Sequence, residues 1–153
     1  MVELADLDSF MGHTVEFKQK IALAEITFGI TAKLGINTDL EKSLFLSDHD
    51  IRLPDALTKS ERAYQMRPNI FAADNLVWAL YKNNQFSVAA KYTTGSLILG
   101  ENDALILYHQ GMIALKNNNT IEAKRYLKKS LELNPRFSII GSRGLSDTLD
   151  LIK

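Results

Sequence analysis

Residues Asp103 to Pro135 read DALILYHQGMIALKNNNTIEAKRYLKKSLELNP. Leu107, Gly111 and Ala114 share one face of a first helix, and Ala123, Leu127, Ser130 and Leu131 share one face of a second. Intervals of three, four and seven are the signature of amphipathic helices. Lys116-Asn117-Asn118-Asn119 separates them, and Asn tolerates the left-handed backbone that a tight turn needs. Thr120 is the expected N-cap of the second helix, with Glu122 in its first turn, and Pro135 ends it. The stretch therefore predicts a helical hairpin.

The arrangement recurs 34 residues upstream. Ile70 to Asp103 carries Leu76, Val77 and Leu80, then Lys82-Asn83-Asn84, then Ala89, Ser96 and Leu97. A matching turn flanked by matching small residues marks a repeated supersecondary unit. A third unit ends at Pro68, with Pro54 at the start of its second helix and Ala56 and Ala63 at the small places. Its first helix, about 38–47, begins at Thr38 or Asp39 and turns Leu40, Leu44 and Phe45 inward or into a groove. Further upstream, Ala22, Ile26 and Gly29 fit a long helix from His13 to Leu34 stopped by Gly35, after a short amphipathic piece over 2–10. Residues 138–152 are expected to form a closing helix, its start obscured by Gly141 and Gly144.

Gly111, Ala123 and Pro135 lie twelve residues apart, which resembles the small-residue and proline places of the tetratricopeptide repeat. Small residues belong there because two helices cross closely. Leu107 and Ala114 stand where Trp and Tyr are common, and both remain apolar. Gly35 to Glu41, Arg67-Pro68, Ala73 to Tyr81 and Leu107 to Ile113 also resemble the C-terminal repeats of larger bacterial tetratricopeptide proteins. The resemblance implies an all-α solenoid of seven or eight helices. The expected units are a degenerate repeat at 3–36, repeats at 37–69, 70–103 and 104–137, and a cap at 138–153.

The resemblance also implies that the first helix of each hairpin lines a concave groove. The groove positions are Phe71, Asp74, Asn75, Trp78, Tyr81 and Lys82 in one repeat, with Leu105, Tyr108, His109, Met112, Leu115 and Lys116 in the next. Glu41, Lys42 and Phe45 are the upstream candidates. Aromatic side chains edged by Lys and Asn suit a peptide or helix of a partner protein, with Trp78 as the anchor. The alternative is a structural role in which a second copy, or other repeats of a longer protein, fill the groove. Tetratricopeptide domains that hold a chaperone's C-terminal carboxylate do so with Lys, Arg and Asn. Here Glu41, Asp74 and Tyr108 form one row and Lys42, Asn75 and His109 the next, so only Asn75 fits.

Composition agrees with a non-catalytic module. At 153 residues and 46% hydrophobic content, one helical domain accounts for the chain. It has no cysteine, which excludes thiolate chemistry and disulfides. Net charge is zero, though residues 1–50 hold four Lys and Arg against nine Asp and Glu, and residues 116–153 hold eight against four. The opposed ends suit head-to-tail association or an acidic partner, but Lys124-Arg125 and Lys128-Lys129 read more simply as a solvated helix face. A neutral chain without a basic, aromatic platform is not expected to bind nucleic acid.

No apolar run reaches the length of a membrane span, and the acidic start lacks a leader pattern, so a cytoplasmic location without membrane insertion is expected. His13, His49 and His109 lack zinc-ligand spacing, Asp48-His49-Asp50 reads as a solvated loop, and His109 has no evident catalytic partner. Neither a metal nor a cofactor is expected.

Overall fold

The computed structural model describes residues 2–100, 102–143 and 145–152, with side chains described outside 94–100. The described residues form helices α1 (Val2–Met11), α2 (Thr14–Lys33), α3 (Asp39–Asp48), α4 (Leu53–Met66), α5 (Ile70–Lys82), α6 (Phe86–Gly100), α7 (Ala104–Lys116), α8 (Thr120–Leu133) and α9 (Leu145–Leu151), and no strand. Successive helices pair as hairpins. The first helices α3, α5 and α7 also touch in succession, which gives the array one side built from them alone.

Local chemistry repeats with the 34-residue interval. Asn69 caps α5 by accepting from the backbone N–H of Phe71 and Ala72, both at 3.0 Å. Asp103 caps α7 in the same way, accepting from Leu105 at 2.9 Å and Ile106 at 3.1 Å. At the other ends of these helices Asn84 and Asn118 both adopt φ 61°, the left-handed turn expected of them. Just before each, an Asn amide spans two hairpins: Asn83 donates to Ala79 O and Leu53 O, and Asn117 to Ile113 O and Phe86 O. Each amide thereby ties the end of its own helix to the first residue of another, Leu53 of α4 and Phe86 of α6.

The small residues lie where helices cross. A Cβ on Gly111 would sit 2.4 Å from Leu127 Cδ2, so α7 approaches α8 more closely than any other residue would allow. Ala56, Ala89 and Ala123 are fully buried, and Ser43 and Ser130 donate to the carbonyls of Ala56 and Ala104. The side chains of Ser96 and Leu97, placed at matching positions by the sequence, lie outside the described ones.

Three boundaries differ from expectation. Residues 2–11 form a complete helix, because Ala5 packs inward and Asp8 pairs with Lys20 of α2. Asn119 rather than Thr120 caps α8, accepting from Glu122 N at 3.3 Å. The closing helix is only Leu145–Leu151; residues after Pro135 turn back instead, with Ser138 Oγ accepting from Gly141 N at 3.0 Å. Gly144, one of the two glycines that obscured its start, lies outside the described residues.

Candidate functional site

The side built from the first helices is centred on Trp78. Its indole N–H donates to Asp48 Oδ1 at 2.8 Å. Its ring stacks with Tyr81, at 4.8 Å and 5° between planes, and with His109, at 4.1 Å and 15°. Tyr108 leans on it at 5.8 Å. Ring contacts of this kind each contribute about 0.5–1.5 kcal/mol beyond area burial. The α-helical period produces it: Tyr81 is one turn beyond Trp78 on α5, while Tyr108 and His109 arrive from α7.

A cavity of about 200 Å³ opens beside this cluster. Trp78, Tyr81, Lys82, Leu105, Tyr108, His109 and Met112 line it, so seven of the expected groove residues converge. The others are placed differently. Asn75 is buried and spends its amide within the chain, donating to Leu40 O at 2.7 Å and accepting from Ser43 Oγ at 3.2 Å. It offers no polar atom to the groove. Asp74 lies behind His109, accepting from Nδ1 at 2.8 Å. Phe71 is 59% exposed at the start of α5, away from the cavity. Lys116 is exposed and rests over the Phe86 ring at the hairpin turn. Of the upstream candidates, Phe45 is a core residue packed on Phe28, while Glu41 lines a separate cavity with Met66 and Arg67.

The far wall is the chain's own C-terminal segment. Ser138, Ile140 and Gly141 complete the cavity lining, and Phe137 packs on Tyr108 with centroids 5.1 Å apart. Gly141 is needed at this approach, since a Cβ there would lie 2.7 Å from Phe137 and 3.2 Å from Tyr108. The same segment continues to α1, where Arg143 lies over Phe10 at 5.4 Å. Trp78 is consequently only 5% exposed. Phe137, Ile139 and Ile140, which follow the helix-ending Pro135, fit a helix as well as a strap, so the sequence alone did not mark this segment.

Asp48-His49-Asp50 is not the solvated loop expected. The three side chains diverge to three partners: Asp48 to Trp78, His49 to Asp6 at 2.9 Å, and Asp50 to Lys82 at 2.7 Å. The turn that splays them, with Asp50 at φ 55° and Arg52 at φ 42°, is what lets one tripeptide tie α1, α3 and α5 together.

Burial raises the Asp48 carboxyl above its ordinary value, against the pull of His109, the Trp78 N–H, His49 and Lys82. Burial likewise pushes the Tyr108 phenol up to about 12, with Tyr81 and Asp48 adding to it. Tyr108 therefore stays a neutral hydroxyl at physiological pH. The cavity is an aromatic slot with a few hydrogen-bonding groups. Among the described residues no three His, Cys, Asp or Glu side chains gather as a metal site, and no helix is long and apolar enough to cross a membrane.

The family model described as Tetratricopeptide repeat matches residues 104–137, which contain α7, its Asn turn and α8. The chain carries a tetratricopeptide repeat. None of the curated proteins compared with the chain matches it. The matched repeat contributes Leu105, Tyr108, His109 and Met112 to the cavity, and the hairpin before it contributes Trp78, Tyr81 and Lys82. The matched repeat and the paired packing of successive helices agree with a helical repeat array.

Proposed function

We propose that the chain is a non-catalytic protein-binding module whose concave groove receives an extended peptide of a partner, and that residues 137–141 occupy that groove in the free protein. Phe137 on Tyr108, with Gly141 pressed against the same ring, is the observation that carries the reading. It supplies an example of what the slot accepts: an aromatic side chain, then an aliphatic one at Ile140, then a residue without a side chain. Trp78, Tyr81, Tyr108 and Met112 form the apolar contact, while Lys82 and His109 give polar register and Asp74 holds the His109 ring. Phe71 extends the surface at the start of α5, and Asn75 supports the array from within. No cofactor enters this function, and the chemistry of the groove favours protein over nucleic acid.

The competing reading is structural, with the strap a permanent part of the fold. The buried position of Trp78 favours it to this extent: nothing is left bare until the strap moves. A labelled peptide of residues 135–143 separates the two. It is titrated into the full chain, into a Phe137→Ala, Ile140→Ala variant, and into that variant carrying Tyr108→Ala. On the proposal the peptide binds the loosened variant better than the parent, shifts Trp78 emission, and loses affinity when Tyr108 is removed. Equal, absent or Tyr108-independent binding would establish the strap as structural.

A further inference from the structure

Helix α2 is apolar on two sides and, among the described residues, has protein against only one, where α1, α3 and α4 lie. Phe17, Ile21, Ala24 and Phe28 face α3 and α4, where Phe28 meets Phe45 at 5.6 Å and Phe17 stacks on His49 at 5.8 Å. On the opposite side Val15, Leu23, Ile26, Ile30 and Leu34 are 64%, 48%, 58%, 55% and 72% exposed. An apolar residue set that goes all round a helix is normally covered all round. The uncovered stripe is larger and more continuous than scattered surface aliphatics, and such patches mark interaction sites.

The spacing of the stripe suits a second copy of the chain. With Gln19 included, its positions are 15, 19, 23, 26, 30 and 34, separated by intervals of four, four, three, four and four. That series reads the same in both directions. A two-fold contact requires a self-complementary surface, whereas an unrelated partner imposes no such symmetry. We infer that α2 is the seam of a homodimer, in which two copies lie antiparallel with Val15 opposite Leu34, Gln19 opposite Ile30 and Leu23 opposite Ile26.

Charge and area agree with this register. Glu16 of one copy and Lys33 of the other come to the same level, so opposite charges meet at both ends of the seam; both side chains are exposed. Burying the five aliphatic side chains on each copy removes about 1,000 Å² in total, the lower bound for a specific interface. The contact is therefore reversible, forming and dissolving over an accessible concentration range. It lies on the outer side of the N-terminal hairpin and uses none of the residues around Trp78, so a dimer presents two grooves.

The absence of cysteine makes the register directly testable. Val15→Cys and Leu34→Cys chains are prepared separately and then mixed under mild oxidation. Positions 15 and 34 lie about 28 Å apart along a helix, so an antiparallel seam joins Val15→Cys to Leu34→Cys and joins neither to itself. Sedimentation equilibrium of the unmodified chain accompanies this, beside an Ile26→Asp, Ile30→Asp variant whose helicity is checked by circular dichroism. The inference expects a monomer–dimer equilibrium lost in the Asp variant, and a disulfide only in the mixture. A chain that stays monomeric from micromolar to millimolar concentration overturns it. So does cross-linking in the Val15→Cys sample alone, which would mean a parallel pair, or no cross-link in the mixture.

Discussion

Gly111→Ala tests whether the α7–α8 crossing depends on a missing side chain. The new methyl carbon would lie 2.4 Å from Leu127 Cδ2, 2.5 Å from Leu127 Cγ and 3.3 Å from the Leu127 backbone nitrogen. Ordinary carbon contacts are about 3.5–4.0 Å, so more than an ångström of relief is required. The Leu127 side chain cannot swing into solvent, because it is fully buried among Ala123, Leu145 and Ile152, and its backbone is also close. Overpacking of this kind costs about 1–3 kcal/mol.

Against it stands the gain of replacing a mid-helix glycine, about 0.5–1 kcal/mol. The net expectation is a loss of about 1–2 kcal/mol, which in a domain of this size lowers Tm by about 2–8 °C. Gly29→Ala is the internal control, since its Cβ would meet nothing within 4 Å and only the helix gain remains. Thermal and urea unfolding at low protein concentration should therefore move in opposite directions for the two variants. In a Leu127→Ala background the Gly111→Ala cost should shrink or reverse, because the two sites share one space. If Gly111→Ala stabilises the chain as Gly29→Ala does, the close-crossing argument is wrong.

Three other outcomes follow from the same geometry. His49 gives Nδ1–H to the Phe45 carbonyl and Nε2–H to Asp6, which only the doubly protonated ring can do; burial opposes that charge, but these bonds and the Asp6 and Asp48 carboxylates outweigh it and raise its pKa above 6.5. Its stabilisation is complete below pH 6.5 and is lost as pH rises through the folded value, so urea midpoints should fall between pH 6 and 8 in the parent and fall less in His49→Gln. Asn117→Ala removes bonds to Ile113 O and Phe86 O and should cost about 1–2 kcal/mol in urea unfolding, with no change in groove binding. Peptides ending in an acidic, chaperone-like tail with a free carboxylate should not bind on an array, because Asn75, the one matching residue, is buried and committed to Leu40 and Ser43; tight binding abolished by Asn75→Ala would refute this.

The repeat was legible because its determinants are local and recur. Asn84 and Asn118 turn the chain at the same φ, Asn69 and Asp103 cap the same positions, and Gly111 faces Leu127 as a small-residue place should. Each of these depends on neighbours within a few turns. The convergence of Trp78, Tyr81, Tyr108, His109 and Met112 was legible for the same reason, as one helical period on two consecutive first helices.

The strap was not legible from local pattern. Residues 138–143 have enough apolar content for a helix, and what turns them aside is their contact with Tyr108, a residue about thirty positions away. Asp48 was missed for a related reason. Adjacency of Asp48, His49 and Asp50 argues correctly that they do not converge on one point, but it is silent about what each meets once α1, α3 and α5 are packed.

The most direct test of groove recognition is selection of peptides from a random display library on the full chain, with Trp78 emission as the readout. A Tyr108→Ala, Met112→Ala variant of preserved helicity is run in parallel. Enriched peptides are expected to carry an aromatic residue three positions before an aliphatic one, as Phe137 precedes Ile140, to bind the parent and shift its emission, and to fail on the variant. Peptides that bind both proteins equally, or a library that yields none, would contradict it.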